Sequence, residues 1–451
     1  MKQKINHLLE GSVMKSIIMI SVPIILANTL QSVYQLIDTF WVGRLGEEAV
    51  AAVSLSFPIL FLLTSFAMGL AMAGSILIAQ YNGRGDTEHV CLATGQTFAL
   101  VSSVAIFLSI IGYLSSEFLL SFLTDDPTVL KDATSYLQIS FIAMWGMFSF
   151  VIFQSAMRGV GRVKLPMIIV LITVILNFFL DPIFMFGWKF IPPMGVSGVA
   201  LATLATEYLS ALIGIIILAS GKFHIKLRLQ DLWLRASWVK RLSKLGLPSS
   251  LEHSSRSIGM VIMTFIVAMF GTSIVAAFGI GGRVLMFIII PGIGLSIATS
   301  TLVGNNLGAK QHQRTLEIAR AGMKIGFWTL TAVGILLFLT ATQITTFFIP
   351  DEPEVIAIAS RFIRIMALSF GFIGVQMALT GTLRAAGKTS LAMSLAMFQT
   401  ACLVIFSLVL AKFFQLGELG IWISYPVANF LAMLLTYYFY RKKDWLQKEL
   451  V

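Results

Sequence analysis

The sequence predicts an all-α integral membrane protein. We expect twelve transmembrane helices in two six-helix lobes, related by a pseudo-two-fold axis along the membrane normal and enclosing a central cleft. Three observations predict it. Of 451 residues, 57% are hydrophobic and only 12% charged, against about 25% charged in soluble domains. The apolar residues gather in runs long enough to cross a bilayer, which takes roughly 20 residues. The second half of the chain then repeats the landmarks of the first. Too little polar surface remains for a soluble enzyme, a secreted disulfide module or a disordered tail. The net charge of +11 does not indicate nucleic acid, because a basic face needs Lys and Arg clustered on a soluble fold.

The first run, 16–41, follows a Lys-bearing amphipathic lead-in. It is too long for a cleavable signal peptide, and no small-residue cleavage site follows its apolar stretch. Runs 52–79, 91–114, 134–157, 164–187 and 195–219 complete a first lobe, residues 1–219. The basic connection 220–243 (GKFHIKLRLQDLWLRASWVKRLSK) is expected to be a cytoplasmic linker. The second lobe, 244–451, holds runs 244–270, 276–303, 317–345, 355–383, 390–414 and 418–440. All are continuously apolar rather than alternating, which excludes a membrane β-barrel. Cys91 and Cys402 lie far apart in or beside these runs, so no disulfide framework is implied.

Orientation follows from Lys and Arg, which cytoplasmic loops retain. With the N-terminus inside, Lys2, Lys4, Lys15, Arg158, Arg162, Lys164, Arg384, Lys388 and the run Arg441 to Lys443 all fall on the cytoplasmic side. Only Arg44, Lys131, Lys189 and Lys412 fall in outer loops, which instead hold acids such as Asp125, Asp126, Asp351 and Glu352. We therefore expect a multi-pass protein of the plasma (inner) membrane with both termini cytoplasmic, in contact with membrane lipids.

The halves match at an offset of about 225 residues. Pro23 in SVPIIL matches Pro248 in GLPSSL, and Gly46 ahead of AVAAV matches Gly271 ahead of IVAAF. Gly69 and Gly83 match Gly294 and Gly308, DDP at 125–127 matches DEP at 351–353, and Arg158 in MRGVGR matches Arg384 in LRAAGK. Parallel repeats of this kind serve alternating access.

Ionisable groups at membrane depth are costly, and so they are candidates for function. Asp38 in QSVYQLIDTFWVG and Asp181 in LNFFLDPIFMFGW sit near the outer ends of the first and fifth runs, at similar depth. Asn177 lies one turn before Asp181 on the same face. Thr203 in the sixth run reaches a comparable depth. Two carboxylates, an amide and a hydroxyl supply hard oxygen ligands for a small cation, and two neighbouring acids can equally share a proton. Pro182 frees a backbone carbonyl one turn earlier. Neither acid recurs in the second half, where Met263 stands opposite Asp38 and the apolar stretch around Ile405 opposite Asp181. The second half instead carries Glu252, His253 and Arg256 in SLEHSSRSIG, where the i,i+4 acid and base can neutralise one another. Glu207 and Arg283 are weaker candidates. Arg361 and Arg364 are expected to snorkel to nearby acids.

With these residues laid out, the chain resembles the multidrug and toxic compound extrusion (MATE) transporters, specifically their DinF-like branch. The resemblance spans essentially the whole chain. It rests on VPIILANTLQSVYQLIDTFWVGRLG, on NFFLDPIF and MGVSGVALATL, and on the Arg-x-x-Gly-basic turns at Arg158 and Arg384. It implies an antiporter that expels small amphipathic cations in exchange for protons or sodium, with no organic cofactor and no obligate protein partner. By position, Asp38, Asn177, Asp181 and Thr203 look like the family's cation site, Gln31 and Tyr34 like cleft-facing neighbours that join Asp38 in binding substrate, and Pro23 like its helix-bending proline. One branch of the family has further acids where this chain has Arg256 and Ile373, so coupling is expected to rest on the first lobe. A lipid-linked oligosaccharide flippase of the same superfamily is the alternative. A membrane enzyme is not supported, since no HExxH motif, metal cluster or nucleophile motif occurs.

Overall fold

A computed structural model describes residues 6–223, 225–446 and 450; Lys2 and Lys4 lie outside the described residues. A short helix, α1 (Asn6–Leu9), precedes α2 (Val13–Val42), α3 (Glu47–Arg84), α4 (Thr87–Ser121), α5 (Pro127–Gly159), α6 (Lys164–Phe186) and α7 (Val196–Ala219). The second series is α8 (Ala236–Ala268), α9 (Thr272–Gly308), α10 (His312–Phe348), α11 (Pro353–Ala367), α12 (Phe370–Ala385), α13 (Thr389–Leu408) and α14 (Glu418–Arg441). Among the described residues the only β pairing is a bridge between Trp188 and Ile191.

Every expected run is helical, but two differ from expectation. Ten helices are long and apolar enough to cross a membrane, counting α13 with its π-turn extension to Phe413. The run 355–383 is two helices, α11 and α12, bent by 51°. At the break, the Ser369 hydroxyl donates to the Met366 carbonyl at 2.8 Å, a local bond that competes with helix continuation. A chain of side-chain amides then fixes Ser369: Gln376 donates to Gln399 (3.0 Å), Gln399 to Asn429 (2.8 Å), and Asn429 to Ser369 (2.9 Å). The other exception is α8, 33 residues long, whose first half carries too many charged and polar residues for it to count among the apolar spans.

The repeat is visible in the backbone. Gly46 and Gly271 start α3 and α9 at φ 109° and 120°, a region that only glycine enters without strain. Pro127 and Pro353 open α5 and α11, where the missing N–H costs nothing. Asp126 caps α5 by accepting from the backbone N–H groups of Thr128 (2.8 Å) and Val129 (3.2 Å).

By packing, the chain divides into two compact units, Leu26–Ser250 and Met1–Ile25 with Leu251–Val451. These limits differ from the lobe boundaries at 219 and 244 expected from the sequence: they fall inside α2 and α8, just after Pro23 and Pro248. The 220–243 linker packs onto the first unit. Gln96 of α4 donates to the carbonyls of Asp231 and Trp233 (both 2.7 Å) and accepts from the Arg235 N–H at 2.9 Å. Each unit has its own apolar core, one around Phe141, Phe148 and Leu137, the other around Phe362, Phe370 and Trp422. Large side chains such as Leu114, Phe107, Phe265 and Leu339 stay exposed, as lipid-facing positions require.

Outside the spans, Asp86 caps α4, accepting from the His89 N–H at 3.1 Å and pairing with its imidazole at 2.8 Å. Partial burial would raise its carboxyl, but the hydrogen bonds and charge of His89 outweigh that and hold it below the ordinary Asp range. A depressed native pKa stabilises the fold above about pH 4 and loses that contribution as pH falls through the native value. D86A should therefore cost about 1 kcal/mol at neutral pH, and the gap from wild type should close in acid; thermal melts of detergent-solubilised protein at several pH values test this.

Candidate functional site

Helices α2, α6 and α7 bring together most of the residues singled out in the first half. Asp181 and Asn177 are both fully buried on α6, one turn apart, and the Asn177 amide donates to Asp181 Oδ1 at 3.1 Å. The helix runs on through Pro182 to Phe186, so Asp181 lies within a helix rather than starting a loop. Pro182 cannot donate to the Phe178 carbonyl one turn back. Asp38 of α2 faces Asp181 within hydrogen-bonding reach. Gly198 permits the approach of α7, since a Cβ there would come within 2.6 Å of the Phe184 carbonyl on α6. Tyr34 shares a 2.9 Å hydrogen bond with Thr206, and Thr203 stands beside it. Gln31 lies two turns before Asp38 and is exposed, while Pro23 is buried within α2.

Four buried oxygens here have no hydrogen-bond donor from the protein: Asp38 Oδ1, Asn177 Oδ1, Asp181 Oδ2 and Thr203 Oγ1. Burying a polar atom without a partner costs about 1–3 kcal/mol, so this group is the costliest polar cluster of the first half to leave as it stands. Two further residues belong to the neighbourhood. Tyr136 of α5 lies close enough to feel both carboxyls, and Glu207 of α7 close enough to act on Asp38 and Tyr34. Tyr136 had no sequence signal, being one aromatic residue in an apolar helix. Trp41, one turn after Asp38, packs against Phe178 and Phe186 with centroids 5.9 and 6.4 Å away.

The second half builds the corresponding neighbourhood without charge. Met263, opposite Asp38, is buried in the apolar core. Counting on from the Arg158–Arg384 match puts Ser407, rather than the stretch around Ile405, opposite Asp181. Its hydroxyl lies 3.6 Å from the Met263 sulfur and 2.6 Å from the Ser424 hydroxyl.

Glu252, His253 and Arg256 form a separate group on α8, and its key partner is a residue expected in a cytoplasmic loop. Arg384 is buried within α12, not exposed in a turn, and sits 3.5 Å from Glu252. Arg256, the expected partner, is exposed and further off at 3.9 Å. Arg384 also donates to Ser296 Oγ (2.7 Å), which donates to the Met377 carbonyl at 2.7 Å. Glu252 Oε2 and His253 Nε2 are buried without hydrogen-bond partners. Arg158, the counterpart of Arg384, bonds Gln154 on its own helix instead, at 2.6 Å. Arg361 reaches Glu418 at 3.2 Å as expected, but Arg364 goes to the Phe338 carbonyl and the Thr342 hydroxyl, not to an acid. Among the described residues no group of three or more His, Cys, Asp or Glu is placed to hold a metal ion.

Breaking a buried pair from one side strands a charge and costs about 3–5 kcal/mol. R384A should lower stability by that order, and E252A/R384A should be more stable than R384A alone. Thermal melts of the two single variants and the double variant measure the coupling.

The MatE family model matches residues 23–183 and again 248–439, the two stretches opening on Pro23 and Pro248. The chain is 29% identical to the probable multidrug resistance protein YoeA of Bacillus subtilis over 96% of its own length and 94% of that protein's. It is 27% identical to the probable multidrug resistance protein NorM of Thermotoga maritima, over 96% and 93%. A solved structure described as the outward-facing conformation of a multidrug resistance MATE family transporter superposes with TM-score 0.91 at 24% identity, covering 99% of both chains. The repeated match, spanning both six-helix series, shows that the chain belongs to the MatE family and is a multi-pass membrane transporter.

Proposed function

We propose that the protein is a multidrug efflux antiporter, exporting small amphipathic cations in exchange for protons or sodium by alternating access. The observation that carries this reading is the pairing of Asp38 with Asp181 in an apolar helix interior, with unpartnered oxygens from Asn177 and Thr203 alongside. The names of the YoeA and NorM relatives support drug export.

The chemistry follows from charge and burial. With both carboxyls ionised, the group attracts a cationic drug and is costly to bury. A proton held between them, or a sodium ion bound by their oxygens and those of Asn177 and Thr203, cancels that charge. Cation and drug then favour opposite states of the site, which is coupling by differential affinity. Tyr34 and Gln31 on the same helix are placed to contact the drug, and Pro23 lets α2 bend. The excess of Lys and Arg in one set of loops supports an inner-membrane location with both termini cytoplasmic.

Proteoliposomes loaded with a cationic dye test the proposal under a pH gradient alone and then a sodium gradient alone. D38N and D181N should each abolish gradient-driven efflux while leaving the protein folded, and N177A should weaken it. Full efflux by either Asn variant would overturn the reading. The gradient that drives wild type identifies the ion.

A further inference from the structure

The basic segment after α7 lies along the lipid-facing side of α4 instead of extending away from it. On that side Phe107, Ile110 and Leu114 are exposed. Gln96 points the same way as Leu114, which stands eighteen residues, about five turns, further on. Yet Gln96 is fully buried. Residues 231–235 cover it, meeting its amide in three hydrogen bonds. They pack so closely that a Cβ on Gly95 would come within 2.6 Å of the Asp231 Cβ. The segment therefore occupies a place that lipid takes further along the same helix, and it does so within the apolar run that begins at Cys91.

The covering segment is amphipathic along its length. Residues 225–228 are extended, with Ile225 and Leu227 turned toward the apolar core. Lys226 and Arg228 alternate with them and line an open cavity of about 490 Å³ against the start of α4. The Lys226 backbone N–H lies 3.2 Å from Cys91 Sγ, level with the beginning of the apolar run. After a single 3-10 turn, Leu229–Leu232, the carbonyl of Trp233 is bonded at Gln96, about 7.5 Å further along α4 than Cys91. Leu229 and Trp233 are 84% and 80% exposed. Bases thus stand where the apolar run starts and a bare Trp stands deeper, which is the order of headgroup and acyl chain in a leaflet.

Charge narrows the occupant. Between Gly221 and Arg241 the chain has six Lys or Arg and one acid, Asp231, which is buried. Glu88 is the one acid lining the cavity, against two bases. A negative headgroup gains from this excess, whereas the ammonium of a zwitterionic lipid is repelled by it. We propose that this segment is a docking site for an anionic phospholipid of the adjoining leaflet: Lys226 and Arg228 hold the phosphate at the start of α4, and Leu229 and Trp233 lie beside the acyl chains. Such a site is independent of the coupling ion, the drug and Asp38.

Native mass spectrometry of the full-length protein, purified with phosphatidylglycerol or with phosphatidylcholine, tests the headgroup. Wild type should retain phosphatidylglycerol in preference, and K226Q/R228Q should retain it several-fold less. K226R/R228K should restore retention, and K131Q/K189Q, at the opposite ends of the helices, should leave it unchanged. Tryptophan emission tests the apolar part, with W233F isolating one of eight tryptophans. In vesicles of both lipids, bromine on the chains of phosphatidylglycerol should quench wild type more than the same bromine on phosphatidylcholine. That excess should vanish in W233F and in K226Q/R228Q. Equal retention by wild type and K226Q/R228Q would overturn the site, as would equal loss in K131Q/K189Q or equal retention of the two lipids. Trp233 emission that neither brominated lipid quenches would overturn it too, and is the result expected if water or a soluble protein meets this face.

Discussion

Hydrocarbon cannot solvate a charge, and that constraint orders the interior of this protein. A lone ionised side chain at membrane depth costs at least about 2.5–3.5 kcal/mol, so every such group needs an opposite charge, a proton or an ion. The two halves meet the requirement differently. In one, Glu252 is matched by Arg384, itself fastened through Ser296. In the other, Asp38 and Asp181 face each other, and among the described residues no Lys, Arg or His is paired with them. The first arrangement is settled within the protein by a fixed pair, whereas the second is not.

The repeat lets these solutions be compared on one scaffold. Proline-opened α5 and α11 and glycine-started α3 and α9 give both halves the same backbone. On it, Met263, Ser407 and Ser424 fill the place that Asp38 and Asp181 occupy in the first half. The repeat keeps the architecture, and a few side chains differ between its halves. The paired acids lie in one half, and a fixed charge pair on α8 and α12 in the other.

Much of this was legible in the sequence because hydrophobic runs, glycines and prolines act locally. Twelve runs, the internal repeat and the pairing of Asp181 with Asn177 all follow from spacing along a helix. What was not legible depends on contacts between distant segments. Leu368 and Ser369 carry no breaker signal, and the bend there needs the amide chain from Asn429, Gln399 and Gln376. Arg384 resembles a basic loop residue until α9 and α8 bury it. Tyr136 and Glu207 join the site only because α5 and α7 pack beside α2. The assignment of residues 13–25 and 236–250 to the opposite units is likewise a property of packing, since local sequence ends a lobe at its linker.

The composition of α8 also bears on how the protein is made. Ten of the helices can enter lipid on their own apolarity, but α8 carries Lys240, Arg241, Lys244, Glu252, His253 and Arg256 in its first two thirds. Its buried carboxylate is neutralised by a residue on α12, which leaves the ribosome long after α8 does. Until then the start of α8 gains more from water and headgroups than from hydrocarbon. Burial of that carboxylate beside its closest base therefore waits on α12, four helices further along the chain.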